Sequence, residues 1–218
     1  MSTIIDILIT NRTTTQQLDT IEGKIKNGTA TTAEKNTYLA GMDAAYNASD
    51  LNRVGQAILY LKAEFDDLPD DLYDAYNAAL AEIASGLDYP IQNYDLSITL
   101  PTSLYQVSYR YPVATQTTKT DWVQGDIPTA VSMAYYLNNI RSIATVAGTS
   151  GLVPVTLNGL TCEGANNIEQ ALVNAESFYQ SYRTSKLNAI DVAKTDAAQQ
   201  FRNIDSNWMM SGEAICGA

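Results

Sequence analysis

Apolar residues recur at spacings of three and four along most of this chain, which restricts it to helices that bury one face. The clearest series is Leu51, Val54, Ile58, Leu61 and Phe65. Because an α-helix turns once in 3.6 residues, these side chains share one stripe. We therefore predict a mainly α fold, a helical bundle.

Glycine, proline and capping residues indicate where the helices begin and end. Pro69 lacks an N–H and should begin a new helix, not lie inside one. Apolar spacing continues from Thr161 as far as Asn207, so we expect either one unusually long helix that needs a partner or a break near Thr184-Ser185. Helices are predicted over 13–26 and 31–46 around a break at Asn27-Gly28, from Ser49 as N-cap, from Pro69 to Gly86, from Thr129 and from Thr161.

The segment from Thr120 to Thr129 carries a helix-start signal. Thr129 is placed as an N-cap, and Pro128 holds the preceding chain extended. Beyond it, apolar residues from Val131 to Ala147 form one helical face. We predict that the segment specifies packing, and the structural motif comprises Trp122, Asp126, Pro128 and Thr129, with Ser49 and Thr161 as further caps.

Between Tyr89 and Tyr111 apolar residues alternate with polar ones, a two-residue repeat that is typical of β-strands. This pattern predicts a small β-hairpin insertion at about 88–119. Ile4 to Ile9 is β-branched and apolar, so it predicts a short strand or an extended N-terminal arm. Two strands are marginal alone and should pack on helices or on another chain.

The expected organisation is a helical module over 1–186 and a C-terminal docking helix and tail over 187–218. Both ends carry more apolar side-chain area than a chain terminus usually leaves exposed to water. We therefore expect both ends to contact other subunits. The candidate interface residues are Ile5, Ile7, Tyr109, Trp208, Met209 and Met210.

Charge argues against two classes of partner. Thirteen basic and twenty-four acidic residues give a formal net charge of −11, so nucleic acid and anionic membranes would be repelled. No apolar run is long enough to insert into a bilayer, and the N-terminus lacks the basic leader of a signal peptide. Cys162 and Cys216 are expected to be free thiols.

No reactive constellation emerges, and we predict no enzyme, no cofactor and no metal. Histidine is absent, which removes the commonest general base and a common metal ligand. The aspartates around Pro69 lack the order of a calcium loop. Two alternatives remain open: a glycan hydrolase using Glu64 with Asp70 or Glu163 with Glu169, and a glycan-binding module using its fourteen tyrosines.

Four short islands occur in one order and are distributed over about two thirds of the chain. They are Asp6–Thr13, Ala45–Val54, Thr120-Asp121-Trp122 with Asp126–Thr129, and Leu160-Thr161 with Ala165–Glu169. In that order they resemble a small module of minor structural proteins in tailed bacteriophages of Gram-positive hosts, found among tail, baseplate or fibre components.

The resemblance implies a non-enzymatic virion protein, made in the host cytoplasm and assembled in multiple copies in a tail, baseplate or connector region. Its partners would be copies of itself and other virion proteins. The alternative is a glycan-binding host-receptor module of the virion, in contact with a surface glycan. The chain departs from the module by a long connection from Asp66 to Thr118 and by its extension beyond Tyr182.

Overall fold

The computed structural model describes residues 4–11, 16–41, 47–86, 99–107, 118–123, 125–158 and 160–216, and describes the backbone alone at 4, 16, 39–41 and 205–216. Within these ranges the chain is mainly helical, which confirms the predicted fold class at that level, and no strand occurs there. The helices are α1 (Gln16–Lys26), α2 (Thr32–Gly41), α3 (Ala48–Ser85), α4 (Ala130–Val146) and α5 (Cys162–Cys216).

The contacts divide the chain into two compact units. Unit 1 combines Met1–Asp66 with Tyr109–Tyr179, and unit 2 combines Asp67–Ser108 with Gln180–Ala218. Both α3 and α5 pass from one unit into the other. The predicted boundary after residue 186 falls within α5 and inside unit 2, so the contacts separate the chain elsewhere.

Helices α3 and α5 run in the same direction in unit 1. Arg53 bonds to Glu169 and Tyr60 bonds to Glu176, each across a separation of 116 residues. The second pair lies seven residues after the first on both helices. Residue numbers therefore increase in the same direction along the two helices, so their axes are parallel. Phe65 then meets Tyr179 edge to face, with 5.5 Å between ring centroids. The buried side of α4 completes this core with Tyr136, Leu137, Ile140, Ile143 and Ala144.

Helices α1 and α2 form a smaller cluster with the start of α5. Gly28 ends the turn after α1 with φ +72°, a left-handed conformation that favours glycine. The N–H of Glu34 donates to Oγ1 of Thr31 over 3.2 Å, and the N–H of Thr31 donates to Oε2 of Glu34 over 2.9 Å. This reciprocal capping box begins α2. The apolar members of the cluster are Leu18, Ile21, Tyr38 and Cys162.

In unit 2, a short 3-10 turn at Thr102–Leu104 is held between helical side chains. The Tyr76 hydroxyl donates to the carbonyl of Leu100 over 2.7 Å. The Lys186 ammonium donates to the carbonyls of Ser103 and Gln106, each over 2.8 Å. The turn is therefore fixed by long side chains and not by a sheet ladder.

The predicted helix start at Pro69 is wrong, because α3 is continuous through this residue. Of the two alternatives left open for α5, the structure shows the single long helix, which is continuous through Thr184-Ser185. Because Pro69 has no N–H, the carbonyl of Phe65, four residues earlier, lacks its helical hydrogen bond. The apolar spacing nevertheless continues through Leu68 and Leu72, which are both fully buried. Burial of this stripe accounts for a helix that local propensity would have divided.

The prediction of a strand or extended arm at the N-terminus is also wrong. Ile4–Ile7 forms a 3-10 turn, and Ile5 is buried within this chain. Ile5 is therefore not available as the predicted interface residue, because its apolar side chain is already covered.

The predicted β-hairpin falls largely on 87–98 and 108–117, which lie outside the described residues. The described part between these ranges, 99–107, contains the 3-10 turn and no strand.

Candidate functional site

The four sequence islands meet in one buried polar cluster of unit 1. Ile9 comes from the first island, Arg53 from the second, Trp122 from the third and Glu169 from the fourth. Side-chain hydrogen bonds join Ile9, Arg53 and Glu169, and Asn52, the neighbour of Arg53, bonds to Trp122. Segments far apart in the chain are thus held by polar contacts with defined geometry.

Arg53 is the centre of the ionic part of this cluster. Its Nη2 donates to Oε1 of Glu169 over 2.9 Å and to Oδ1 of Asp50 over 2.5 Å. Its Nε donates to Oε2 of Glu169 over 3.3 Å. Burial lowers the pKa of Arg53, but the bonds to Glu169 and Asp50 more than offset this and raise it above its usual value. The guanidinium therefore stays charged between two buried carboxylates.

Glu169 is fully buried on α5, and both of its oxygens are engaged. Arg53 contacts each oxygen, and the backbone N–H of Ile9 donates to Oε2 over 2.6 Å. A carboxylate in this position orders the N-terminal segment against the helices. Its side chain is enclosed by its own chain and has no exposed surface.

The start of α3 places Asp50 and Arg53. The N–H of Asp50 donates to Oδ1 of Asn47 over 3.0 Å, and the N–H of Asn47 donates to Oδ2 of Asp50 over 3.2 Å. Asn47 is thus the N-cap, and Ser49, predicted for that role, lies inside the helix. Asn47 is the cap in place of Ser49 because Asp50, three residues after Asn47, supplies the carboxylate that completes a capping box.

Asn52 holds the backbone of Trp122 through both of its amide atoms. The Trp122 N–H donates to Oδ1 over 2.7 Å, and Nδ2 donates to the Trp122 carbonyl over 2.9 Å. The pair reproduces the exchange between two residues of a sheet ladder. The indole ring is buried, and its Nε1 finds no acceptor among the described residues.

Gly55 lets the same segment cross α3 closely. A Cβ at this position would lie 2.9 Å from the carbonyl oxygen of Lys119 and 3.1 Å from Cγ2 of Thr120. The buried Thr118 is fixed from α4, since Nδ2 of Asn139 donates to its Oγ1 over 2.7 Å. Non-helical backbone is therefore packed directly on a helix.

The rest of the predicted motif connects this crossing to α4. The N–H of Val123 donates to Oδ2 of Asp126 over 3.1 Å, and Gly125 has φ +103° in the turn. Thr129 caps α4 by accepting from the N–H of Ser132 over 3.1 Å, and Pro128 precedes it.

The Thr161 side chain likewise accepts from the N–H of Gly164 over 3.0 Å at the start of α5. The caps predicted at Thr129 and Thr161 are therefore present.

A second polar contact lies one heptad beyond Arg53 and Glu169. The Tyr60 hydroxyl donates to Oε1 of Glu176 over 3.2 Å. Burial, followed by the nearby charge of Glu176, raises the pKa of Tyr60 to about 12. The hydroxyl therefore stays protonated and acts as a donor at neutral pH.

A pocket of about 650 Å³ opens beside the cluster. The exposed candidate Ile7 lies on its wall, together with polar atoms from α3. The lining includes Ile7, Asn52, Arg53, Gln56, Trp122 and Val123.

The remaining interface and catalytic candidates are not part of this cluster, apart from Glu169. Tyr109 and the side chains of Trp208, Met209 and Met210 lie outside the described residues. Glu163 is exposed whereas Glu169 is buried, so the two carboxylates do not share an accessible face. Glu64 belongs to unit 1 and the exposed Asp70 to unit 2. Residues able to form a metal cluster are absent from the described ranges.

The sequence patterns assigned no role to Asn52, Arg53 or Gly55, and they suggested Glu169 only as a catalytic partner of Glu163, not as the partner of Arg53. A local signal existed for two features: the spacing Asn47-x-x-Asp50 is that of a capping box, and Gly55 interrupts a strong helix. The pairing of Arg53 with Glu169 has no local signal, because 116 residues separate them.

Among the described residues, no helix is both long and apolar enough to cross a membrane. No family model, curated protein or solved structure matches this chain.

Proposed function

We propose that this chain is a non-enzymatic structural protein of a virion, present in several copies in the tail, baseplate or connector region of a tailed phage. The observation that carries the proposal is the convergence of the four resembling islands on the cluster of Ile9, Arg53, Trp122 and Glu169. Their polar groups bind one another and fix backbone, which is the chemistry of a scaffold.

The aromatic content supports the same role. Several tyrosines are buried and serve packing, at Tyr38, Tyr76, Tyr136 and Tyr179. A protein assembled with neighbours needs rigid units of this kind, because ordering a loose surface on binding would cost affinity.

The proposal is tested by locating the protein in purified phage particles. We expect immunogold label at one tail-associated position, and a constant ratio to the major tail protein by quantitative mass spectrometry. An Arg53→Met variant, which breaks the cluster, should fail to enter particles, whereas the exposed control Lys35→Met should enter normally. Recovery of the protein only outside particles, or release of sugar from host wall by the purified chain, would reject the proposal.

The second candidate is a glycan-binding receptor module, favoured by the pocket beside Trp122. Asn52, Arg53 and Gln56 offer it amide and guanidinium donors next to an aromatic residue, a combination suited to hydroxylated ligands. Binding of host wall polysaccharide that is abolished by Gln56→Ala would favour this function. Gln56 is exposed, so its truncation should leave the fold intact.

A further inference from the structure

Helix α4 exposes an apolar face opposite its buried one. Val131 is 59% exposed and Tyr135 is 41% exposed, and Ala134 lies between them at the surface. Residues at spacings of three and four share one side of a helix. Ile127, two residues before the N-cap Thr129, is a further apolar residue that is 87% exposed.

Charge distinguishes this surface from the rest of the chain. Between Asp126 and Glu163, Arg141 is the only charged residue, although the chain has twenty-four acidic residues and a formal net charge of −11. The excess of negative charge therefore lies entirely outside residues 127–162.

We propose that the face of α4 formed by Val131, Ala134 and Tyr135 is the contact between two copies of this chain. A two-fold contact places a surface against itself, so an acidic surface would meet its own charge. Two copies that each carry −11 repel each other least where negative charge is missing. A basic partner would instead be attracted to the acidic surfaces.

The shape of the face suits a helix pair. Ala134 is small and lies between the larger Val131 and Tyr135, which lets two helix backbones approach while the flanking side chains pack. The inference deepens the proposed function, and it rests on the multiple copies which that function requires.

Sedimentation equilibrium of the full chain provides the first test. We expect a dimer or larger multiple, and a monomer mass for the double variant Val131→Glu/Tyr135→Glu. The matched control is Leu59→Glu, a 45% exposed apolar residue of α3, which should leave the mass unchanged. A monomeric wild type, or an oligomer that the double variant leaves intact, would overturn the inference. Circular dichroism verifies that each variant remains helical.

Cross-linking locates the contact. In a Cys216→Ser background, Ala134→Cys should form a disulfide-linked dimer under mild oxidation, and Leu59→Cys, at an exposed position of α3, should not. Equal cross-linking at both positions would contradict the assignment.

The salt dependence of self-association distinguishes an apolar contact between two acidic copies from a contact formed by ion pairs. Screening the repulsion between acidic copies should strengthen self-association as ionic strength rises. Weakening by salt would indicate ion pairs and oppose the inference. Particles that contain the protein while the free chain stays monomeric would defeat only this inference, whereas an oligomeric chain missing from particles would defeat only the proposed function.

Discussion

Gly55 shows how a single residue sets the distance between a helix and a crossing segment. We predict that Gly55→Ala destabilises unit 1 by about 1–3 kcal/mol, because the new Cβ would lie 2.9 Å from the Lys119 carbonyl. The matched control is Gly23→Ala in α1, where no atom lies within 4 Å of the new Cβ.

Alanine is favoured over glycine in a helix by up to about 1 kcal/mol, so the control should stabilise. Urea unfolding followed by circular dichroism measures both substitutions. Changes of the same sign at Gly55 and Gly23 would show that the close approach does not limit packing.

Arg53 compensates buried carboxylates, and its removal should be costly. We predict that Arg53→Met lowers the free energy of unfolding by about 3–5 kcal/mol, because Glu169 would remain buried without its cation. The double variant Arg53→Met/Glu169→Leu should recover much of this loss, since apolar groups of similar size can replace a buried pair. Additive losses in this double-mutant cycle would mean that the two side chains do not interact.

At the scale of elements, the helix starts are the best-defined local features. Each described start from α2 to α5 has a side chain accepting a backbone N–H three residues later: Thr31, Asn47, Thr129 and Thr161. A cap of this kind contributes about 1 kcal/mol, and it also fixes the direction of the incoming chain.

The capping box of α2 should respond to acid. The hydrogen bond from Lys24, followed by those from Thr31, lowers the pKa of Glu34 from 4.5 to about 2. A carboxylate with a lowered pKa stabilises the folded state above its unfolded pKa and loses that effect as pH falls through the folded value. We therefore expect the contribution of Glu34 to be complete above pH 4.5 and to disappear toward pH 2.

Carbon-detected NMR titration of the Glu34 carboxyl measures this directly. Lys24→Met should move the midpoint upward, and Glu34→Gln should remove the acid dependence of α2. An unshifted Glu34 midpoint in the wild-type chain would show that the box does not form.

At the scale of the whole molecule, the division into two units predicts a partial response to truncation. Deleting residues 187–218 removes from unit 2 the buried Ile190 and the ion pair of Lys194 with Glu82. Unit 1 keeps its own core residues up to Tyr179. We expect amides near Ile58 and Ile168 to stay protected from hydrogen exchange and those near Leu72 and Ile83 to lose protection.

Mass spectrometry of exchanged peptides distinguishes these responses. Loss of protection throughout the chain would mean that unit 1 depends on the deleted residues. Full protection throughout would mean that unit 2 does not.

The sequence by itself determined the features that neighbouring residues control. Apolar spacing identified the buried faces of α3 and α5, and that of α4 except at its start, because Val131, predicted to belong to the buried face, is 59% exposed. Capping chemistry located Thr129 and Thr161, and Gly28 and Gly86 marked helix ends. These features depend on interactions within one or two turns, so a short window of residues contains their cause.

Tertiary structure decided where local preferences competed with burial. It carried α3 through Pro69, because the buried stripe continues on both sides, and it folded Ile4–Ile7 into a turn that buries Ile5. It also brought Arg53 to Glu169 and Asn52 to Trp122. Local periodicity specifies which side of a helix is buried but not which distant segment covers it. That pairing depends on the packing of the complete core.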